Sequence, residues 1–537
     1  MLLRIVFICV GWSASAAVCA AKVHPGVAPS AFATSADCIA CHSGLRTAAG
    51  EEVSIGYDWR ATIMANSARD PYWQAAVRRE TLDHPEAAAD IEDTCATCHM
   101  PMARFDAAAA GRRGEVFANL APTASAHGSA FDGVSCAVCH QIDPANLGAP
   151  ESYDGRFRID TSTAFGGRPV FGPYAIEQGR ASIMRSAAQF TPSAGVHVQQ
   201  STLCATCHTL YTRTVGGAAG SELPEQVPYE EWLHSEYRDT RSCQSCHMPE
   251  VPGSVPITSV LGEPREHVSR HTFRGGNAFM LGMLNKYRDD LGVRALPTEL
   301  DAAVRDTRRY LGTAAATVAI ESARRRGTEL AMDVAVASTT GHKLPTGYPA
   351  RRVWLHVVVS DPGGAVVFES GRVQPDGSIV GNDNDVNPEA FEPHYEEIQG
   401  ADQVQIYESI MEDGAGKPTT ALLRGVRYAK DNRLLPRGFD KATAPAQVAA
   451  RGAAERDGDF SGGGDRVRYR VALPRPAAGA LRVDVELLYQ PIGYRWAKNL
   501  EAYDAPETRR FVGYYAATIG AVPAVPLAEA HTVLAAP

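Results

Sequence analysis

The sequence predicts a multidomain protein in which a mostly helical and irregular domain precedes an all-β antiparallel sandwich. A pattern of cysteine and histidine recurs between Cys38 and His247, in a stretch with little strand periodicity. From Leu330 onwards apolar and polar residues alternate, and turn residues separate the alternating segments. We expect a signal peptide at 1–20, the helical domain at 21–327, the sandwich at 328–520 and a disordered tail at 521–537.

The recurring pattern is Cys-x-x-Cys-His, the covalent attachment site of a c-type haem. It occurs as Cys38-Ile-Ala-Cys-His42, Cys95-Ala-Thr-Cys-His99, Cys136-Ala-Val-Cys-His140, Cys204-Ala-Thr-Cys-His208 and Cys243-Gln-Ser-Cys-His247. Two thiols three positions apart each form a thioether with one vinyl group of the porphyrin, and the histidine that follows ligates the iron. Five covalently bound haems are therefore predicted. Their attachment residues are Cys38, Cys41, Cys95, Cys98, Cys136, Cys139, Cys204, Cys207, Cys243 and Cys246, with His42, His99, His140, His208 and His247 as iron ligands.

Structural zinc sites and disulfides are the alternatives for such cysteine pairs. A zinc site needs no histidine directly after every pair, and a disulfide leaves the histidine unexplained. The haem interpretation accounts for both residue types.

The N-terminus is typical of a secretory signal peptide, with a charge at Arg4, an apolar run at 5–12 and a small-residue cleavage site at 18–20. Lipidation of Cys19 and retention as an anchor stay open. Without Cys9 and Cys19, ten of the twelve cysteines remain, which is five pairs. Because c-type haems are attached outside the bacterial cytoplasm, we expect a periplasmic or extracellular protein. No later stretch is long and apolar enough to span a membrane.

Local patterns predict the main elements. A helix at 58–82 should break at Asp70-Pro71, and two more should lie at 277–291 and 297–326, the last with Thr298 as N-cap. Strands are predicted at 331–337, 353–360, 366–369, 403–410, 467–473 and 481–490. The segment 441–465 is predicted to be a long surface loop.

A six-coordinate haem iron needs a second axial ligand, usually histidine or methionine. The candidates are His84, His127, His197, His271 and His342. His271 precedes two glycines that allow the backbone to approach a flat ring, and His342 lies in a loop bounded by proline and glycine. His24, His234 and His267 are alternatives. Met64 is a further candidate for the first haem, although helix packing is the preferred explanation for it.

One further metal site is considered. Asn382-Asp-Asn-Asp385, with Glu389 and Glu392 nearby, offers the oxygen ligands that calcium prefers. A solvated turn rich in Asn and Asp is the preferred explanation.

Four segments resemble those of bacterial multihaem cytochromes of the cytochrome c-554 (cytochrome c-552/4) type. They are Trp59-Arg-Ala-Thr-Ile-Met-Ala-Asn-Ser67, Cys95-Ala-Thr-Cys-His-Met-Pro101, Asp132-Gly-Val-Ser-Cys-Ala-Val-Cys-His140 and Cys243-Gln-Ser-Cys-His-Met-Pro249, followed by a similar Gly341-His-Lys-Leu-Pro-Thr-Gly347. The resemblance covers about residues 38–350 and implies electron transfer through closely packed, mostly bis-His haems. The five sites and the β domain depart from the four-haem members.

The leading hypothesis is an exported electron carrier that works between redox protein partners and needs no catalytic residue. The alternative is a reductase or oxidase of a small nitrogen or sulfur compound at one open haem iron. Related nitrite reductases often mark that iron with Cys-x-x-Cys-Lys, which is absent here. In a third hypothesis the β domain docks the cytochrome into a larger redox assembly. A net charge of −9 without a basic block makes nucleic acid an unexpected partner.

Overall fold

Helices and loops dominate the chain up to Ala314, and strands dominate it afterwards. The computed structural model describes residues 30–215, 222–473 and 479–536, so the predicted signal peptide and His24 lie outside the described residues. Ala31–Pro537 form one compact unit. In the part of the chain that is described, no helix combines the length and apolarity needed to cross a bilayer.

The first part contains short helices and three small two-stranded sheets. The helices are α1 Ser35–Ile39, α2 Ile55–Arg60, α3 Pro71–Asp83, α4 Ala88–His99, α5 Pro101–Ala109, α6 Phe117–Leu120, α7 His127–Ala130, α8 Cys136–Cys139, α9 Gln178–Ala188, α10 Ser201–Ala205, α11 Pro228–Leu233, α12 Cys243–His247, α13 Ala278–Lys286 and α14 Pro297–Ala314. The strands are β1 Pro169–Gly172, β2 Thr191–Ala194, β3 Leu210–Arg213, β4 Glu222–Gln226, β5 Val255–Pro256 and β6 Pro264–Arg265.

Capping residues decide where the longer helices begin. The Asp70 carboxylate accepts hydrogen bonds from the backbone N–H groups of Tyr72 (2.8 Å) and Trp73 (3.2 Å), which confirms the predicted break before α3. The predicted helix before that break was wrong for the most part, because α2 ends at Arg60. The predicted cap of α14 was wrong. That helix begins at Pro297, because proline suits the first helical position, and Leu296 rather than Thr298 is the N-cap.

The predicted helix 297–326 was also wrong in its last third. The helix ends at Ala314, and Ala316–Arg326 form a strand, β7. This strand pairs along its length with the next one, Glu329–Ser338, through a two-residue turn whose first residue, Gly327, has a φ of 60°. Strand pairing therefore overrides the helical propensity of the segment.

The second part is built mainly from strands. They are β7 Ala316–Arg326, β8 Glu329–Ser338, β9 Arg352–Ser360, β10 Val366–Ser370, β11 Glu397–Ile398, β12 Ile406–Glu412, β13 Pro418–Thr419, β14 Arg427–Asp431, β15 Gly464–Ala472, β16 Leu481–Gln490 and β17 Val525–Leu534. The helices are α15 Asp383–Val386, α16 Tyr494–Lys498 and α17 Pro506–Ile519.

Two sheets share one hydrophobic core. The seven-stranded sheet has the order β13-β12-β9-β16-β17, with β10 beside β9 and β14 beside β12. The four-stranded sheet has the order β11-β15-β8-β7. Val334 of β8, Val357 of β9, Val467 of β15 and Val485 of β16 are fully buried in the same cluster. The predicted combination of helices with antiparallel sheets is confirmed, although the short β11 pairs with β15 in parallel.

The expected disordered tail at 521–537 was a wrong prediction. Val525–Leu534 form β17, which pairs antiparallel with β16, and Leu527 is buried. Pro526 is compatible with this strand because β17 lies at the edge of the order. The predicted surface loop at 441–465 is likewise only partly correct. Val448, Ala454 and Phe460 are fully buried in the sandwich core.

The C-terminal helix α17 packs on α3 of the first part. Phe511 lies edge-on to Tyr72, with ring centroids 5.1 Å apart. Arg78 forms an ion pair with Glu507 at 2.9 Å. The two parts of the chain therefore share side-chain contacts well beyond their junction.

Candidate haem sites

All five Cys-x-x-Cys-His motifs line a single cavity of about 2570 Å³. Ordinary ligand pockets have about 300–1,000 Å³, so this cavity is large enough for several bulky groups. The ten motif cysteines form no disulfides among the described residues and are partly buried. The donor set therefore fits haem attachment, because thiols and imidazoles from every motif face the same space.

A short helix carries each motif or its first part, in α1, α4, α8, α10 and α12. The backbone N–H of the motif histidine donates back to the carbonyl of the first cysteine, at 3.0 Å for His42 and 2.9 Å for His208. One helical turn thus brings the two thiols and the imidazole close together.

The orientation of the motif imidazoles is set by backbone carbonyls. The Nδ1 atom of His42 lies 2.6 Å from the Ile257 oxygen, that of His99 lies 3.2 Å from the Ser67 oxygen, and that of His140 lies 2.5 Å from the Phe171 oxygen. His247 makes the same contact with Arg274. Because a carbonyl only accepts, Nδ1 must carry the proton, and Nε2 keeps a lone pair for a metal.

Burial lowers the pKa of four motif histidines and so favours the neutral imidazole that a metal ligand requires: His99, His140, His208 and His247. It lowers the pKa of both His99 and His208 to about 4. The ring of Trp73 also stacks on that of His99, with centroids 4.4 Å apart. The rings are thus held in one place and one protonation state at neutral pH.

Two motif histidines face a second histidine. The ring centroids of His140 and His271 are 6.3 Å apart, with planes 18° apart, and those of His247 and His342 are 6.1 Å apart at 19°. Two imidazoles on opposite sides of one metal should have centroids about 6 Å apart, given metal–nitrogen distances of about 2.0 Å. Both pairs have this spacing.

The second histidine of each pair, like the motif histidine, has its Nδ1 atom beside a backbone carbonyl oxygen. The Nδ1 atom of His271 faces the Ser269 oxygen at 3.1 Å, and that of His342 faces the Lys343 oxygen at 2.9 Å. Burial lowers the pKa of His271 to about 3. Both imidazoles line the cavity.

The other three histidine candidates lie outside the described lining of the cavity. His127 bonds through Nδ1 to the Asn119 oxygen at 2.9 Å, which leaves Nε2 free to ligate. His84 has a buried Nε2 atom without a hydrogen-bond partner among the described residues. The Nε2 atom of His197 is bonded to the Ile142 oxygen at 3.0 Å, so only its Nδ1 could ligate. Their assignment remains a prediction.

The alternative ligands differ in position. His267 also lines the cavity, but it is paired with Glu250 and its side chain is 73% exposed; His234 is exposed as well. Met64 lines the cavity.

Thiols of different motifs interact with one another across the cavity. Cys38 interacts with Cys136, Cys98 with Cys207, and Cys204 with Cys243. The charge of Cys139 also acts on the thiols of Cys204 and Cys207. Side-chain hydrogen bonds thus link the first motif to the third and the fourth motif to both the second and the fifth, and the third motif acts on the fourth through charge alone.

No protein-family model and no curated protein matches the chain. Its fold is similar to the crystal structure of a penta-haem cytochrome c552 from Thermochromatium tepidum, with a TM-score of 0.52 and 14% sequence identity over 93% of this chain and 98% of that one. The chain has the fold of a multihaem c-type cytochrome. This likeness confirms the class predicted from the motifs and does not select the cytochrome c-554 subtype.

In this cytochrome fold the candidate calcium segment forms a capped helical turn. The Asp385 oxygens accept from Arg352 (2.8 Å) and from the Ile379 N–H (2.7 Å), and Glu389 pairs with Lys417. Glu392 accepts from two backbone N–H groups. Because these carboxylates already have protein partners, the structure does not support a calcium site there. We expect a chelator to leave the thermal midpoint unchanged, and a drop in that midpoint on adding chelator would contradict this.

A buried cluster of His394, Asp457 and Asp465 was missed by the sequence analysis, which gives no signal for it. Amide N–H groups of Gln405 and Asn432 both donate to Nδ1 of His394, at 2.9 and 3.1 Å. The proton is therefore on Nε2, which donates to Asp457 at 3.0 Å. A protonated nitrogen cannot ligate a metal, so the cluster is a structural hydrogen-bond network.

A polar wall beside the second motif was also missed. Tyr72, Glu80, Glu225 and Tyr348 line the cavity there, and the Arg79 guanidinium lies behind them. Among charged groups, Glu225 acts most strongly on the Cys95 thiol, followed by Glu80. These residues come from three separate regions of the sequence and share no motif, so only the fold brings them together.

Proposed function

We propose that the protein is an exported five-haem c-type cytochrome that transfers electrons between redox protein partners. The observation that best supports this proposal is that all five motifs line one cavity and that their thiols interact with one another, through side-chain hydrogen bonds or, between the third and fourth motifs, through charge. Haems attached to neighbouring cysteines have adjacent edges, and closely packed haems allow electrons to move along one protein. Each bound haem would supply an iron that alternates between ferric and ferrous and so holds one electron.

The protein residues would anchor these groups and tune them. The ten motif cysteines form the thioethers, and the five motif histidines present Nε2 as the first ligand. His271 would complete the site of His140, and His342 that of His247, because their spacings suit a shared metal. His84, His127 and His197 are the candidates for the remaining three irons.

Location and partners are part of the same proposal. Haem attachment outside the cytoplasm and the signal-like residues 1–20 favour the periplasm or the cell exterior. The partners would be redox proteins, and membership of a larger redox assembly is one form of that partnership.

Counting haems tests the attachment sites. We expect five haems per chain from a pyridine haemochrome assay combined with intact mass, and no reactive thiol. As a control, Cys204→Ala/Cys207→Ala should reduce the count to four. Fully matured wild-type protein with four or fewer haems would contradict the proposal.

A reductase or oxidase of a small nitrogen or sulfur compound is the second candidate function. Two features favour it. Among the described residues only two motif histidines, His140 and His247, face a second histidine ring. The polar wall could also supply protons near the second motif, whose histidine has no such partner ring among the described residues. Electron paramagnetic resonance of the oxidised protein separates the candidates. Five low-spin irons would favour the carrier, and a high-spin iron in wild-type protein would favour the enzyme.

A further inference from the structure

The polar wall contains two carboxyl groups that are held differently. One oxygen of Glu80 accepts from Arg79 at 2.7 Å and from the Leu422 N–H at 2.9 Å. Arg79 is fixed in turn by the Thr420 oxygen at 2.5 Å. Glu80 is therefore paired with a permanent positive charge.

Among the described residues, no ion pair involves Glu225. One of its carboxylate oxygens accepts from the Thr212 hydroxyl on the neighbouring strand β3. The residue is only 8% exposed, and burial, together with the charge of Glu80, raises its pKa to about 7. Its carboxyl group thus exchanges a proton within the physiological range.

The charged and titratable groups that interact with Glu225 come from several elements. They are Glu80 of α3, Tyr348 of the loop before β9, Tyr428 of β14 and Cys95 of α4, and Tyr72 and Arg79 of α3 interact in turn with Glu80 and Tyr348. Burial raises the pKa of Tyr72, Tyr348 and Tyr428 far above neutrality, and the Arg79 guanidinium stays charged. Cys95 carries no ionisable thiol once it is a thioether. Glu225 is therefore the group in this wall that is poised to change its charge near pH 7.

We propose that Glu225 binds one proton whenever an electron arrives at the haem attached to Cys95 and Cys98. The inference deepens the proposed function and rests on haem attachment at this motif. Glu225 lines the same cavity as Cys95, and among charged groups it acts most strongly on that residue. A change of charge at the haem should therefore change the proton affinity of Glu225, and protonation of Glu225 should change the reduction potential of the haem.

Electron transfer and proton uptake together leave the charge of the site unchanged. A redox protein partner supplies one electron, which converts ferric to ferrous iron and makes the site more negative by one charge. The added negative charge raises the proton affinity of Glu225, whose carboxylate then takes one proton from solvent. No bond other than this O–H bond is formed, and the net charge of the site is unchanged.

The reduction potential of this haem should depend on pH in one direction only. Below the pKa that Glu225 has beside ferric iron, the group is protonated in both redox states and the potential is constant. Between that pKa and the higher pKa that Glu225 has beside ferrous iron, reduction brings in a proton, so a rise in pH makes reduction harder. The potential then falls by up to about 59 mV per pH unit for this one-electron step.

The experiment is a spectroelectrochemical titration of the holoprotein between about pH 6 and about pH 8.5. We expect one of the five reduction steps to fall with pH in the wild type. In Glu225→Gln that step should become independent of pH. Glu222→Gln is the matched control, because Glu222 lies on the same strand, lines the same cavity and is exposed beside Arg213. It should keep the wild-type slope.

A second variant tests the proposal without removing the carboxyl group. Thr212→Val deletes the hydrogen bond that lowers the pKa of Glu225, so the sloping region should move to higher pH. A slope that persists in Glu225→Gln, or that is absent from the wild type, would overturn the inference and assign the proton to another group such as a porphyrin propionate. A haemochrome count below five in the wild type would instead overturn the proposed function.

Discussion

A His342→Ala variant should keep all five haems and convert one of them from low-spin to high-spin. The haems stay because the thioethers do not depend on the second axial ligand. One iron changes because alanine leaves the position opposite His247 without a nitrogen donor, where the two rings are now 6.1 Å apart. Electron paramagnetic resonance of the oxidised protein should show that a fifth of the iron has changed, and one reduction step should shift.

The matched control is His531→Ala, which removes an exposed histidine of β17. Its low-spin count and reduction steps should equal those of the wild type. His271→Ala gives a parallel test, since it should change the iron of the third motif in the same way. A folded His342→Ala protein with an unaltered low-spin count would rule out this ligand, and would favour His234 or His267.

An Asp431→Ala variant should lose about 3–5 kcal/mol of unfolding free energy, the usual cost of leaving buried charges unpaired. Asp431 contacts the Lys343 ammonium at 2.7 Å and the Arg433 guanidinium at 2.8 Å. The Lys343 and Asp431 side chains are 0% and 3% exposed. Because these groups also contact Glu231 of α11, the network joins the two parts of the chain. Urea unfolding should show a lower midpoint with an unchanged slope.

The effect should depend on pH in a defined direction. Burial alone would raise the pKa of Asp431, but Arg433 and Lys343 overcome it and lower that pKa to about 2. Its stabilisation is therefore complete above about pH 4, the unfolded value, and disappears as the pH falls through about 2. The difference between wild type and Asp431→Ala should shrink over that range.

Glu389→Ala is the control for this prediction. The Glu389–Lys417 pair has the same charges, but its side chains are 62% and 59% exposed. Exposed pairs contribute about 0–1 kcal/mol, so this variant should unfold almost like the wild type. Equal midpoints for the two variants would show that burial of the Asp431 network has no energetic effect.

The sequence allows the cofactor motifs and most strands to be predicted, because both depend on short-range patterns. The five Cys-x-x-Cys-His motifs are continuous, and alternation from Val353 to Ser360 identifies β9 within one residue. The pairing of His140 with His271 and of His247 with His342 depends on contacts between residues that are 131 and 95 positions apart in the sequence. Both distal residues could be nominated from their local sequence, but their partners could not.

The wrong predictions share a physical cause. Residues 315–326 and 525–534 have weak or mixed local preferences, and each becomes a strand because a neighbouring strand supplies hydrogen bonds. Glu225 and Glu80 are unremarkable in the sequence, since their importance comes from burial beside Cys95. Local propensity therefore predicts elements where it is strong, and tertiary contacts decide the rest.

The thiol contacts also give the five attachment sites the topology of a branched network. Side-chain hydrogen bonds join the fourth motif to the second and the fifth and the first motif to the third, and the charge of Cys139 joins the third to the fourth. If the fourth motif is lost, the second and the fifth are each cut off from all other motifs, and the first and third remain as a separate pair. Loss of the second or the fifth motif leaves the other four connected. We therefore expect substitutions at the fourth motif to impair electron transfer more than substitutions at the second or the fifth.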